Sequence, residues 1–296
     1  MIMGNSSRHV PVLLKETIDL LNIETGKKYI DATLGGGGHT AEILKRGGIV
    51  LGLDQDREAV EKLSKGFATE IKERRLIVMN GNFANIENTA QENGFEKVDG
   101  ILFDLGMSSD QFESGRGFSF MKDEPLDMRM DQDLGVTAAD LVNALSQKEL
   151  SGLFFKFAQV ERAREIATAI VESRKLHPIK TTAELVEIIK SVPAYRRQSD
   201  LHPATKAFMA LRIAVNNEPE NLEKALPQSA NLLLPGGRLA VISFHQGEDR
   251  IVKQFFRNGQ VLGIKEINRK PITASPSEVE LNPRSRSARL RAGEKI

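Results

Sequence analysis

Apolar positions in the N-terminal part of the chain fall into short runs, unbroken by charge at 49–53 and 76–79, interrupted by Asp99 at 98–103, and accompanied by a β-prone stretch at 28–32. Between them, apolar residues recur at helical spacing: Ile43 and Leu44, then Val60, Leu63 and Phe67. A run that is apolar throughout is what a strand covered on both faces requires, and the spaced pattern marks one face of a helix. Ahead of the first run, His9 through Leu14 leads into a helical pattern with Ile18, Leu20 and Leu21, which reads as an arm docked on the sheet. His9 there stays open between a packed and a functional role. Strand alternating with helix predicts a parallel, doubly wound α/β sheet.

The alternation stops near Phe112 and returns at Pro203. Between them the chain is turn-rich and then helical. Thr137 with Asp140, Ser146 with Glu149, and Thr181 with Glu184 have capping-box spacing, which opens helices. Ala163, Ile166, Ala167, Ile170 and Val171 make one apolar stripe. The pattern predicts a helical insertion over 112–202, dividing an α/β domain into 1–111 and 203–296. After the insertion, helices are expected at 207–215, 220–234 and 248–256, and strands at 238–243, 262–267 and 287–291. Pro235-Gly236-Gly237 reads as the turn before the first of these strands. The loop 270–283, long for a hairpin, is expected to be a mobile flap.

At 296 residues the chain suits two domains. Its 41 basic and 40 acidic residues leave a net charge of +1, so any nucleic-acid contact must come from local patches. The absence of cysteine excludes disulfides and a Cys-based metal site, and no metal site is expected. No apolar stretch has the length of a signal peptide or of a membrane span, so a cytoplasmic protein without membrane contact is expected.

The candidate chemistry centres on the first strand end. Asp31 is followed by Gly35 to Gly38 and a helical start, and Gly36, Gly38 and Ala41 satisfy a lenient G-x-G-x-x-A pattern. Glycine lets a ligand lie against the backbone. The second apolar run ends in Asp54, placed where an acid takes a ribose diol, and the run at 98–103 ends in Asp104. Ligands of open α/β sheets bind in the crevice at the carboxyl ends of the strands. Three carboxylates there suit a cationic cofactor better than a pyrophosphate, which they would repel. S-adenosylmethionine fits, with Asp54 on the ribose hydroxyls, Phe83 stacked on adenine and the glycine backbone beside the methionine part. Asp31 could equally be a helix or turn cap.

Further motifs carry a resemblance. His9-Val-Pro-Val-Leu-Leu, Asp31 to His39, Asp104-Leu-Gly-Met-Ser-Ser, Gly115-Arg-Gly-Phe-Ser-Phe, Pro125 to Asp131, His202-Pro-Ala-Thr, Pro235-Gly-Gly-Arg and Asn282-Pro-Arg-Ser-Arg-Ser lie along nearly the whole chain. Together they resemble the bacterial ribosomal small-subunit RNA methyltransferase H family, also called MraW. The resemblance implies methyl transfer from S-adenosylmethionine to the exocyclic N4 of a cytosine in the decoding region of small-subunit (16S) ribosomal RNA. It implies that Gly37, Gly38, His39, Asp54, Phe83, Asp104 and Gln111 bind the cofactor. It makes the insertion a substrate-recognition domain, and rRNA or the small ribosomal subunit the partner. A homodimer is left open.

Cytosine N4 is a poor nucleophile because its lone pair is delocalised into the ring. Acceptors on its hydrogens are therefore expected, and Asp104 with the carbonyls of the Asp104-Leu105-Gly106 turn is the candidate set. The base must also leave its stack. Phe118 and Phe120 could stack on it, or could simply pack the insertion. Arg284, Arg286, Arg289 and Arg291, and separately Arg196 and Arg197, are candidate phosphate contacts.

Two alternatives remain from sequence. A nicotinamide-dependent oxidoreductase rests on Gly36, Gly38 and Ala41, with Asp31 against it. A non-catalytic rRNA-binding or assembly factor that keeps the cofactor site rests on two departures from the family pattern. Gln246-Gly247 stands where the family usually has Ser-Leu, and Ala158-Gln159-Val160 where it usually has Gly-Glu-Glu.

Overall fold

The computed structural model describes residues 11–193 and 202–296. His9, Arg196 and Arg197 lie outside the described residues. The chain forms two compact units, one from Met1–Met107 with Pro219–Ile296 as far as these are described, the other from Ser108–Glu218.

The first unit opens with α1 (Leu14–Leu21), β1 (Lys28–Asp31), α2 (Gly38–Lys45), β2 (Ile49–Asp54), α3 (Arg57–Gly66) and α4 (Ala68–Lys72). It continues with β3 (Leu76–Asn80), α5 (Ile86–Glu92) and β4 (Val98–Asp104). The second unit then carries α6 (Ser109–Glu113), α7 (Ala138–Ala144), α8 (Gln147–Ala158), α9 (Ala163–Arg174), α10 (Thr182–Ser191) and α11 (Ala204–Asn216). The chain returns to the sheet with α12 (Glu218–Leu232), β5 (Leu233–Ser243) and α13 (Gln246–Asn258). It ends with β6 (Ile264–Glu266), α14 (Pro276–Leu281) and β7 (Arg289–Lys295).

The strand order is β3-β2-β1-β4-β5-β7-β6. β1 to β5 are parallel to one another, and β7 runs antiparallel between β5 and β6. This is the mostly parallel, doubly wound sheet that the periodicity predicts. Successive strand residues point to opposite faces. Thus Tyr29, Val50, Leu102 and Ala240 enter one core, and Ile30, Leu51, Ile101 and Leu239 the other. Both faces are buried, which is why the strands read as apolar runs rather than alternating ones. β1 is followed by β2 on one side, and β4 lies on its other side, so order reverses at β1 and opens a crevice at the carboxyl ends. No helix among the described residues is long and apolar enough to cross a membrane.

In the second unit, all three capping boxes form, at Thr137, Ser146 and Thr181. α8 and α9 pack together, and α11 packs on α8. The periodicity had given α11 to the α/β part. An amphipathic stripe shows that a helix buries one face, but not which core receives it.

Two other expectations are corrected. Pro235-Gly236-Gly237 does not precede the strand but lies within β5, where Val98 pairs with Leu233 and Gly100 already pairs with Arg238. The extra residues form an irregular bulge, with Gly236 at φ 81. The loop 270–283 is not bare: it holds α14, and Ile272 makes an antiparallel bridge to Leu290.

Candidate active site

The loop after β1 is built around three aspartates. Asp31 is 1% exposed, and both its oxygens are occupied: Oδ2 accepts from the Thr40 hydroxyl at 2.7 Å and Oδ1 from the Thr33 amide at 3.3 Å. Its carboxylate therefore ties the strand end to the first turn of α2. Asp54, at the end of β2, accepts from the Gly35 amide at 2.8 Å and the Asp56 amide at 2.8 Å. Each oxygen has a second lone pair, so both can still accept from a ligand. The Asp54 carbonyl accepts from the Gly81 amide at 2.9 Å and the Asn80 side chain at 3.0 Å, holding the ends of β2 and β3 together.

Two of the glycines answer to the protein itself. Gly37 caps α2 at φ 74, in the left-handed region, and a Cβ there would lie 2.8 Å from the Phe67 ring. A Cβ on Gly38 would run into Cγ of Pro11, because the proline ring sits directly over the loop.

Asp104 closes the crevice from β4. Its amide donates to the Thr33 hydroxyl at 2.6 Å, and its Oδ2 lies 3.6 Å from Nδ1 of His39. Its Oδ1 is buried and has no hydrogen-bond partner among the described residues. A buried acceptor without a donor is costly, and a carboxylate oxygen more so. Burial raises the Asp104 carboxyl well above the ordinary range, and the charges of Asp31 and Glu248 add to the shift. Burial likewise pushes Asp31 and Asp54 up to about 6, against the hydrogen bonds that favour their charged forms. The crevice thus disfavours three adjacent anions, and a cationic ligand would restore them.

Phe83 follows β3 in a single 3-10 turn and is half-buried, edge-on to Phe103 with ring centroids 5.5 Å apart. Asn82 starts that turn and donates to Gln55 at 2.8 Å, bridging the ends of β2 and β3. The structure therefore brings Gly37, Gly38, His39, Asp54, Phe83 and Asp104 to the carboxyl ends of β1 to β4. Gln111 lies in the second unit, buried, as the third residue of α6, where its Oε1 accepts from the Ser108 amide at 3.0 Å.

Thr33 lies within the Asp31 to His39 motif but carried no role of its own, and Thr40, in the first turn of α2, and Gln55 and Asp56, just past β2, were not singled out by the sequence.

The remaining candidates divide. Phe118 is 6% exposed, with the Arg116 guanidinium over its ring, so it is packed within the second unit. Phe120 stacks on His202 with centroids 4.6 Å apart and meets Phe208 edge-on. The arginine cluster does not act as one. Arg291 is buried, 2.7 Å from Asp249 Oδ1, and donates to the Arg269 carbonyl at 3.1 Å; Arg289 shares Asp249 at 3.3 Å. Strand alternation on β7 turns this pair toward α13, leaving Arg284 and Arg286 as the exposed members. At the first departure, His245 caps α13, accepting at Nδ1 from the Gly247 amide, while Glu248 accepts from the His245 amide. This cap uses the backbone of Gly247, and its capping side chains are those of His245 and Glu248. At the second, Gln159 ends α8 in the left-handed region at φ 46.

The profile of the MraW methylase family matches residues 6–296. Among its relatives, the chain is 46% identical to the Ribosomal RNA small subunit methyltransferase H of Carboxydothermus hydrogenoformans, covering 97% of this chain and 98% of that one. It is 44% identical to the protein of the same name from Lactobacillus acidophilus, covering 98% and 99%. Among solved structures, one match is a Streptococcus mutans protein in complex with SAH, 12% identical with TM-score 0.48, covering 97% of this chain and 100% of that one. An rRNA methylase from Streptococcus thermophilus is 12% identical with TM-score 0.45, covering 96% and 93%. With a match over nearly its full length and relatives this similar, the chain belongs to the MraW methylase family.

Proposed function

We propose that this protein transfers a methyl group from S-adenosylmethionine to the exocyclic N4 of a cytosine in the decoding region of small-subunit ribosomal RNA. Family membership and the names of its relatives support the rRNA substrate. The observation that carries the chemistry is Oδ1 of Asp104, a buried carboxylate oxygen without a partner among the described residues at the mouth of the β1–β4 crevice.

The residues fit the cofactor by their donor and acceptor chemistry. Asp54 keeps lone pairs for the ribose hydroxyls and Phe83 offers a half-buried ring to adenine, while Gly37, Gly38 and His39 would hold the methionine part on the family pattern. Gln111 is assigned to the cofactor on the family pattern alone. When bound, S-adenosylmethionine supplies an electrophilic methyl on a sulfonium. Asp104 accepts an amino hydrogen of N4, drawing density toward a nitrogen whose lone pair is otherwise spread into the ring. As N4 turns positive, the Asp104 charge stabilises it in a site where burial keeps water from screening the interaction. The carbonyls of the Asp104-Leu105-Gly106 turn are further acceptors. Ser108–Glu218, including exposed side chains of its helices, is the candidate rRNA-recognition unit.

The test is incubation of the purified protein with S-adenosylmethionine and small ribosomal subunits or naked 16S rRNA, followed by mass spectrometry of nucleosides. The expected product is N4-methylcytidine at a single site. Binding of S-adenosylhomocysteine without methyl transfer to either substrate would instead support an rRNA-binding assembly factor.

A further inference from the structure

Three consecutive residues ahead of α1 make three separate contacts, two of them with the candidate cofactor loop. The Pro11 ring sits over Gly38, at a distance that leaves no room for a Cβ. The Val12 carbonyl lies 3.2 Å from Nε2 of His39. The Leu13 amide donates to Oε1 of Glu278 at 2.7 Å, across 265 residues of chain.

Leu13 occupies the N-cap position of α1, where Ser, Thr, Asp or Asn would usually supply a side-chain acceptor. A leucine cannot. It is also fully buried and held in the left-handed region at φ 51, a conformation costly for a residue of its kind. Glu278 of α14 does not replace that acceptor but takes the N-cap amide itself, the bond that the N3 side chain of a capping box would make; the first turn of α14 is in turn capped by Ser275, whose hydroxyl accepts from the Glu278 amide at 3.2 Å. The segment bearing Glu278 is anchored on the same side of the sheet: Ile272 pairs with Leu290 of β7, and Ile272 and Ala274 pack against the core that contains Val12 and Leu13. A carboxylate beside the start of α1 also meets the positive end of the helix dipole.

We infer that Glu278 is a positioning residue for the cofactor loop, holding the Pro11-Val12-Leu13 arm so that Pro11 bears on Gly38 and Val12 orients His39. Glu278 acts only through the arm. The inference rests on the proposed cofactor site for its functional meaning, but its geometric core is the coupling from Glu278 to His39.

The test compares Glu278→Ala, Glu278→Gln and Glu278→Asp in the full chain, reading S-adenosylhomocysteine affinity by titration and the His39 ring nitrogens by NMR. Glu278→Ala is expected to weaken affinity about tenfold, the size associated with losing one hydrogen bond to a charged group. It should also speed exchange of the His39 Nε2 hydrogen, because Val12 no longer holds it. Glu278→Gln keeps an acceptor of the same reach and should stay within about threefold of the parent, since it preserves the bond while losing only its charge assistance. If Glu278→Ala does not fold, Glu278→Asp, one methylene too short to reach Leu13, is read in its place. An unchanged His39 signal in a folded Ala or Asp variant overturns the inference. If the parent protein fails to bind S-adenosylhomocysteine, the proposed function falls, while the His39 measurement still decides the coupling.

Discussion

Nδ1 of His39 stands 3.6 Å from Oδ2 of Asp104, while Nε2 of the same ring faces the Val12 carbonyl at 3.2 Å. A carbonyl only accepts, so Nε2 carries a hydrogen and Nδ1 presents either a lone pair or a second proton to Asp104. A lone pair set against an ionised carboxylate would repel it. Protonation of the Asp104 carboxyl, which burial and the charges of Asp31 and Glu248 push upward, relieves that repulsion. Asp104 is thus an acceptor whose charge responds to what enters the crevice.

Asp104→Asn should separate rate from affinity. Asparagine keeps the size and one acceptor oxygen but removes the charge facing a nitrogen that becomes positive in the transition state. An interaction made mainly there appears in the rate constant rather than in ground-state binding. Single-turnover methyl transfer at saturating cofactor should fall about 100- to 1000-fold, the usual cost of one such electrostatic group. A variant that binds cofactor poorly yet reacts at the parental rate when saturated would limit Asp104 to cofactor binding.

Asp54→Ala should weaken S-adenosylmethionine binding by about 1 to 3 kcal/mol, the range for a hydrogen bond to a charged group. Because Asp54 also accepts from the Gly35 and Asp56 amides, Asp54→Asn is the companion variant, preserving one backbone acceptor. Calorimetric titration of both decides whether the ribose contact or the loop anchor dominates. Unchanged affinity in both would remove Asp54 from the cofactor site.

Cofactor affinity should depend on pH near 6. In the free protein the Asp31 and Asp54 carboxyls titrate at about 6, raised chiefly by burial. A cation in the crevice favours their charged forms, so their pKa values fall on binding and protons are released. Affinity is therefore full above this range and is lost as pH falls through about 6. Titrations in buffers of different ionisation enthalpy should show proton release near pH 6 from Asp31 and Asp54, with any release at higher pH coming from Asp104. Proton uptake would reverse the sign and exclude a cationic ligand.

The arginines should divide by location. Arg291→Gln breaks a buried ion pair and should cost about 3 to 5 kcal/mol of stability, the range for leaving one buried partner uncompensated. Denaturant unfolding measures it. Replacing the exposed Arg284 and Arg286 by Gln tests phosphate contact instead. If they touch phosphates, the slope of log K against log salt for rRNA binding should flatten by about 0.7 to 0.9 per lost contact. An unchanged slope would make them solvated surface.

Mostly apolar runs alternating with helical stretches determined by themselves that the strands are buried on both faces in a parallel, doubly wound sheet, and the acids at the ends of three of those runs marked the crevice. Capping-box spacing located α7, α8 and α10, because a cap is a contact between residues three apart. What a residue does once buried depends on partners far away in sequence. Only the tertiary structure could make Asp31 an internal tie to Thr40, leave Asp104 Oδ1 without a partner among the described residues, pair Arg291 with Asp249, or place Glu278 on Leu13. Local periodicity records which faces avoid water, whereas desolvation and ion pairing are set by whichever distant groups the sheet brings alongside.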